Sequence, residues 1–318
     1  MNKTINIGII GVGIVGERFI KALNRHGRAN ILGIYDTNKD RLQDISNKYN
    51  LKIVNSYKEL LKNEDINIIY LAVPPKYHYS IGMDIIESNK HFICEKPLAN
   101  SINEAKEMYE KAEDNNIIHA MNFPTVYTQA FKKMNSLLKQ EYIGELRRIE
   151  LNTYFEEWPR FWQKTNWIDT REQGGFVREV FTHYVQLIQM IFGKIKDVDT
   201  NIEYPKDSLS CETGIMARAS LTSGEPILLN GFSNIGMKEN IALTLYGTEG
   251  TISLENWREL WVSSKGKRKE RLDFKEHDHL VELIDEVCKR IDGKASNVIT
   301  FKDGYNAQII IEKLLDRD

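Results

Sequence analysis

Residues 5–36, INIGIIGVGIVGERFIKALNRHGRANILGIYD, constrain the fold more than any other part of the chain. An apolar run (Ile5, Ile7, Ile9, Ile10) leads into Gly11-Val12-Gly13-Ile14-Val15-Gly16. Val15, Phe19, Ala22 and Leu23 then share one face of a helix-like segment. A second apolar run, 31–35, ends at Asp36, twenty residues beyond Gly16. Strand, glycine loop, helix, strand and acid in this order describe a dinucleotide site on a parallel sheet. Gly11 permits the tight turn out of the strand, Gly13 lets the backbone approach a pyrophosphate, and Gly16 lets the helix pack closely. The helix N-terminus offers N–H groups to phosphate. Asp36 would accept hydrogen bonds from ribose hydroxyls. Glycine turns between strand and helix also occur for purely structural reasons, but here strand, helix and acid all stand in register. The predicted cofactor residues are therefore Gly11, Val12, Gly13, Ile14, Val15, Gly16, Asp36 and Thr37.

At 318 residues the chain exceeds one ordinary domain, and the expected division is residues 1–122 and 123–318. A formal net charge of −2 provides no field to recruit nucleic acid or an anionic membrane. No apolar stretch approaches the ~20 residues that span a bilayer. The N-terminus runs directly into a strand, which predicts no signal peptide. Cys94, Cys211 and Cys288 are far apart and lack CxxC spacing, against a disulfide framework or zinc site. His277-Asp278-His279 has metal-capable groups without a third or fourth ligand, so a helix start is expected and no metal. The expectation is a cytoplasmic protein with a small-molecule substrate and neither nucleic acid nor membrane as partner.

Up to about residue 121, strand-like runs (53–54, 66–73, 91–94, 117–121) alternate with helical patterns (38–49, 56–61, 78–88, 102–115). This alternation predicts an α/β, doubly wound parallel sheet with helices on both faces. Ligands of such sheets bind beyond the carboxyl ends of the strands. Two loops leave there, Pro74-Pro75-Lys76-Tyr77-His78 and Glu95-Lys96-Pro97, adding Ala72, Val73, Pro74, His78, Glu95, Lys96 and Pro97 to the predicted cofactor set. Beyond residue 121 the pattern changes: a helix (123–140), a strand (146–155), an aromatic loop (158–175) and a helix (176–192). Six strand-like runs follow (195–204, 210–221, 226–234, 240–246, 251–254, 260–263) with no helix between them. They predict an antiparallel sheet. Helical segments at 279–291 and 303–316 close the chain, and the basic run 265–271 reads as a solvated turn.

Two stretches could carry chemistry. Lys96, at the sheet edge where a nicotinamide would lie, could hydrogen-bond a substrate hydroxyl and assist its proton transfer; a surface lysine before a turn proline is the alternative. On a helix, Glu179, His183 and Gln186 share a face by i, i+4, i+7 spacing. A carboxylate beside an imidazole can orient the ring and raise its basicity. The same stripe could be merely the solvated side opposite the apolar residues of that helix. Trp158, Arg160, Phe161, Trp162 and Trp167 could line a pocket or simply pack.

Taken together, the glycine loop, the Pro74–His78 loop, Glu95-Lys96-Pro97 after what counts as the fifth strand, and the Gly174-Gly175 helix with Glu179 and His183 resemble the Gfo/Idh/MocA oxidoreductase family over nearly the whole chain. The resemblance implies an N-terminal Rossmann domain and a C-terminal α/β domain built on a large, mainly antiparallel open sheet. It implies hydride transfer between nicotinamide and a hydroxyl-bearing carbon, often of a sugar or cyclitol. Lys96 and His183 fall on the family's catalytic lysine and histidine, and Glu179 on its usual aspartate. Gln186 replaces a frequent aspartate, and Val126 a frequent arginine. A cis Lys96–Pro97 bond and a homo-oligomer, dimer or tetramer, formed through the outer face of the C-terminal sheet are also implied. Asp36 would repel a 2′-phosphate, so NAD is the expected cofactor, with NADP possible through Arg41 or Lys39. Two other functions fit the same motifs: a dinucleotide-binding sensor without turnover, and a reductase of a C=N or C=C bond.

Overall fold

The computed structural model describes residues 4–163, 165–275 and 277–316. They fall into two compact units: the described residues of Met1–Pro124 with Asp278–Tyr305, and those of Thr125–His277 with Asn306–Asp318.

The first unit alternates β1 (Ile5–Ile10), α1 (Ile14–His26), β2 (Ala29–Tyr35), α2 (Lys39–Tyr49), α3 (Tyr57–Lys62), β3 (Ile68–Leu71), α4 (His78–Glu87), β4 (His91–Cys94), α5 (Ile102–Asp114) and β5 (His119–Met121). Its five strands are all parallel, in the order β2-β1-β3-β4-β5. Residues of β1 and β3 are buried almost throughout, as strands covered on both faces require. Helices begin where a short polar side chain accepts a first-turn N–H: Asn38 from Arg41, Ser56 from Lys58, Ser101 from Glu104. The expected strand at 53–54 reduces to one isolated bridge between Ile53 and Ile34. The chain turns away at Ser56 to cap α3 before a ladder can grow. Glu95-Lys96-Pro97 therefore follows the fourth strand, not the fifth.

The second unit contains α6 (Gln129–Lys139), β6 (Leu146–Phe155), a π-helical turn (Val177–Phe181) leading into α7 (Thr182–Phe192), and then β7 (Ile195–Glu203), β8 (Gly214–Leu221), β9 (Pro226–Ser233), β10 (Asn240–Gly247), β11 (Gly250–Glu255), β12 (Glu259–Ser264) and β13 (Glu270–Leu272). They form one eight-stranded sheet, ordered β13-β12-β11-β10-β6-β9-β8-β7. Every neighbouring pair is antiparallel except β6 and β9. Burial alternates residue by residue along β8, β9 and β10, so one face packs and the other is open. The basic run is a turn only in part, because its end enters β13.

The last two helices are α8 (His279–Ile291) and α9 (Phe301–Leu314). α8 folds back onto α1, so that residues 278–305 group with the first unit. α8 buries Leu283, Ile284, Val287 and Cys288, and polar contacts fix its register: Arg25 meets Asp278 at 2.5 Å, Arg28 meets Asp292 at 3.1 Å, and His26 lies 3.8 Å from Asp285. Three aspartates at seven-residue spacing thus face the basic end of α1.

Candidate cofactor and catalytic site

In the first unit, the carboxyl ends of β1 to β4 bring the predicted cofactor residues to one edge of the sheet. Gly11 has φ 94°, and a Cβ there would stand 2.3 Å from the Ala72 carbonyl oxygen. A Cβ on Gly16 would stand 2.2 Å from the Gly11 carbonyl. Both positions need glycine so that the loop can pass between β3 and α1. Gly13 caps α1 with no side-chain hydrogen bond. The first N–H groups of that helix are thus left to backbone or ligand acceptors. Ile14 and Val15 are exposed beside them. Asp36 accepts from the Val12 N–H (2.9 Å) through one carboxylate oxygen and from the Asn38 N–H (2.8 Å) through the other. Each oxygen keeps a lone pair for a further donor. Thr37 lies between Asp36 and Asn38 in this turn. These features fit the phosphates and adenosine ribose of a dinucleotide.

His78 ties two of the loops together. Its Nδ1 is 2.8 Å from the Pro97 carbonyl and its Nε2 is 2.8 Å from the Val73 carbonyl. The ring is fully buried, and burial holds its pKa below the ordinary histidine value. The neutral imidazole donates to one carbonyl only. Val73 and Pro74 leave β3 on one side of it, and the Lys96–Pro97 peptide, which is cis, leaves β4 on the other.

Glu95 is held from beneath. The Tyr70 hydroxyl and the Asn122 amide both donate to its Oε1. Tyr70 is fully buried and stacks on Phe19 at 3.8 Å between ring centroids. Burial and the Glu95 charge push the Tyr70 phenol well above its ordinary pKa, so it stays a donor. Lys96, half-buried, is the next residue of the same turn. Neither Tyr70 nor Asn122 was legible as a site residue, since each reads as an ordinary strand-end side chain. Arg41 was visible only as a basic residue near Asp36; its Nη1 lies 3.6 Å from where a Gly13 Cβ would be.

The second unit carries Glu179, His183 and Gln186. Gly175 has φ 96°, and a Cβ there would meet the Glu212 carboxylate at 2.2 Å. Glu212 accepts the Val177 N–H at 2.7 Å and so fixes the start of the π-helical turn. Buried Arg178 donates to Glu312 (2.7 Å) and to the carbonyls of Arg171 (3.2 Å) and Glu172 (3.3 Å). Glu179 is on this π-helical turn, so the simple i, i+4 alignment with His183 expected of an α-helix does not hold there. His183 and Gln186 are buried, so the stripe is not a solvated face. The His183 ring stands edge to face with Trp257, 5.3 Å between centroids. In the aromatic loop, Trp158 packs with Phe155 and Phe176 in the core, whereas Phe161 is 79% exposed. Among the described residues no helix is long and apolar enough to cross a membrane, and no cluster of three or more metal-capable residues occurs.

Comparison with known proteins gives two adjoining matches. Residues 5–123 match an oxidoreductase family profile described as an NAD-binding Rossmann fold, and residues 135–316 match the C-terminal alpha/beta domain of the same family. Levoglucosan dehydrogenase of Pseudarthrobacter phenanthrenivorans is 23% identical over 86% of this chain and 80% of its own length. Trans-1,2-dihydrobenzene-1,2-diol dehydrogenase of Mus musculus is 24% identical over 83% and 78%. A solved levoglucosan dehydrogenase in complex with NADH and L-sorbose superposes with a TM-score of 0.88 at 19% identity, covering 99% of this chain and 96% of that one. The last comparison establishes the shared fold.

Proposed function

The chain belongs to the Gfo/Idh/MocA family of NAD-binding oxidoreductases, and from that premise we propose that it is an NAD(H)-dependent dehydrogenase of a small polar substrate bearing a hydroxyl, a sugar, cyclitol or related compound. The observation that supports the reading is Lys96 at the same sheet edge as the glycine loop and Asp36, together with His183 on the second unit. Sugar and diol dehydrogenases among the relatives support the substrate class. When bound, the nicotinamide supplies the acceptor or donor of hydride. The Lys96 ammonium hydrogen-bonds the substrate oxygen, and His183 takes or returns the hydroxyl proton. Glu179 orients His183 or the substrate. Asp36 selects NAD over NADP by charge. Arg41, beside Gly13, supports a second reading in which a 2′-phosphate is accepted.

The open face of the second sheet carries Met216, Leu228, Phe232 and Tyr246 in exposed positions, which supports a homo-oligomer through that face. The enzymatic reading is tested by following NADH absorbance over a panel of sugars, cyclitols and their keto forms. Lys96→Ala and His183→Ala should each lower turnover by about 100-fold, with NADH affinity little changed in His183→Ala. Unchanged turnover in both variants overturns the assignment. Tighter binding of NADPH than NADH, read by fluorescence titration, overturns the cofactor preference.

A further inference from the structure

The turn between β11 and β12 holds a tryptophan where its backbone favours glycine. Arg258 N–H donates to the Glu255 carbonyl at 3.1 Å and closes a turn whose central residues, Asn256 (φ 45°) and Trp257 (φ 73°), are both left-handed. Two left-handed central residues define the type I′ turn, whose preferred sequence is Asn-Gly. Asn256 fits. Trp257 does not: a bulky side chain at positive φ is strained, and such strain persists only where the surroundings impose it.

The turn is also fixed in place. Asn256 N–H donates to the Ile241 carbonyl at 2.8 Å, and the Asn256 side-chain oxygen accepts from the Ile241 N–H at 3.3 Å. β10 therefore grips the turn by two hydrogen bonds, and the indole cannot swing away with a loose loop. The ring goes to a defined target. It meets His183 edge to face, with an interplanar angle of 89° and 5.3 Å between centroids, and leans on Tyr184 at 5.4 Å and 34°. Tyr184 is fully buried and His183 nearly so. A surface hairpin thus delivers a large flat ring onto the histidine at the start of α7.

We infer that Trp257 is a positioning residue for His183: the strained turn holds the indole against the imidazole and limits its ring to one orientation. The inference rests on the acid–base role proposed for His183. Gln186 and Tyr184 flank His183 from its own helix, but the indole reaches it from another element of the same unit. A ring held in this way loses its rotamer freedom before substrate arrives, which is what an acid–base group needs in order to act at one oxygen.

Substitution separates the strain from the contact. Trp257→Gly removes the ring and relieves the left-handed backbone, so lost packing and relieved strain offset and the melting temperature should stay within a few degrees of wild type. Trp257→Ala removes the ring without the relief and should melt below Trp257→Gly. Ring motion of His183 is read by carbon-13 relaxation on histidine-labelled full-length protein, with the signal assigned by its loss in His183→Ala. In Trp257→Gly the order parameter of the His183 ring should fall from a rigid value toward about 0.6 or lower, and Trp257→Phe should restore much of it. With levoglucosan and myo-inositol as probe substrates and saturating NAD, kcat should fall about tenfold in Trp257→Gly while KM for NAD holds.

A His183 ring as ordered in Trp257→Gly as in wild type overturns the inference, whatever happens to turnover. Lost turnover in His183→Ala together with that result leaves the acid–base assignment standing by itself. A mobile ring in Trp257→Gly with full turnover in His183→Ala upholds the placement of His183 by Trp257 and overturns the acid–base role. Equal melting temperatures for the Gly and Ala variants overturn the strained-turn part of the inference.

Discussion

Gly13→Ala tests whether the glycine loop binds a dinucleotide or merely turns the chain. The residue has φ −65° and ψ −167°, an extended conformation that any L residue adopts. Among the described residues beyond its chain neighbours, the nearest atom to an added methyl is Arg41 Nη1, at 3.6 Å, an ordinary contact. The apo protein should therefore fold as before, with a gain of about 0.4–1 kcal/mol from a stiffer unfolded chain. Gly11→Ala is the contrasting control. With φ 94° and a Cβ 2.3 Å from the Ala72 carbonyl, it is strained and blocked, and it should cost at least ~1–3 kcal/mol of apo stability. In Gly13→Ala the methyl occupies the approach of a pyrophosphate to the first N–H groups of α1. Losing one or two hydrogen bonds to a charged group costs about 3 kcal/mol in all, or a Kd roughly 100-fold weaker. Thermal melts with and without NADH read both effects. At NADH 100 times the wild-type Kd, wild type gains ~2.7 kcal/mol; the variant at the same concentration gains only ~0.4 kcal/mol. Equal NADH stabilisation in the two proteins, or collapse of the Gly13→Ala apo form, would refute the reasoning.

Tyr70→Phe removes a donor to Glu95 inside a buried site, and urea melts should show a loss of about 1.5–3 kcal/mol; a loss below ~0.5 kcal/mol would mean that the hydroxyl holds nothing. Lys48 and Tyr49 hydrogen bonds hold the Glu17 carboxyl down at about 2, so its stabilisation is full above pH ~4.5 and fades as pH falls toward 2. The stability gap between wild type and Glu17→Gln, about 1 kcal/mol at pH 6 for this partly solvated group, should shrink steadily in urea melts taken down to pH 3. Glu179→Asp shortens a side chain carried on the π-helical turn, and kcat should fall about as far as in Glu179→Gln; full activity in the aspartate variant would show that the extra methylene is not needed.

The candidate residues of the two units differed in how far the sequence revealed them. At the cofactor edge the work is done by backbone: N–H groups, tight turns and close approaches, all of which demand glycine and so leave a mark in sequence. Gly11 and Gly16 were readable for that reason, and Asp36 by its place at the end of the second strand. Tyr70 and Asn122 were not, because a strand-end tyrosine and an asparagine look the same whether or not a glutamate waits above them. β6, predicted at 146–155, spans Leu146–Phe155, since strict alternation leaves little freedom in register. The expected 53–54 strand failed because two apolar residues cannot outweigh a helix cap at Ser56. The grouping of 278–305 with the first unit was not legible, because the basic end of α1 and the acidic row of 278–292 are separated by some 250 residues, and only tertiary packing shows that they meet.

On the second unit, local periodicity misled. The stripe of Glu179, His183 and Gln186 was read on an α-helical wheel, and on that wheel a polar stripe opposite an apolar face belongs to water. Two features undo this reading. Gly174-Gly175 and the buried carboxylate of Glu212 start the segment as a π-helical turn, anchored by the Arg178–Glu312 pair. This widens the turn beneath Glu179 and shifts its direction relative to His183. The sheet hairpin at Asn256-Trp257 then covers the side that would otherwise face solvent. A polar residue that is buried, carried next to a π-helical turn and covered by a strained aromatic residue is costly on three separate counts. Stability alone favours a leucine in place of His183 and an ordinary α-helical turn before it, whereas at Trp257 the packing of the ring offsets the backbone strain. That the three costs meet around one imidazole supports the role proposed for His183, and it does so independently of the motif that first singled that residue out.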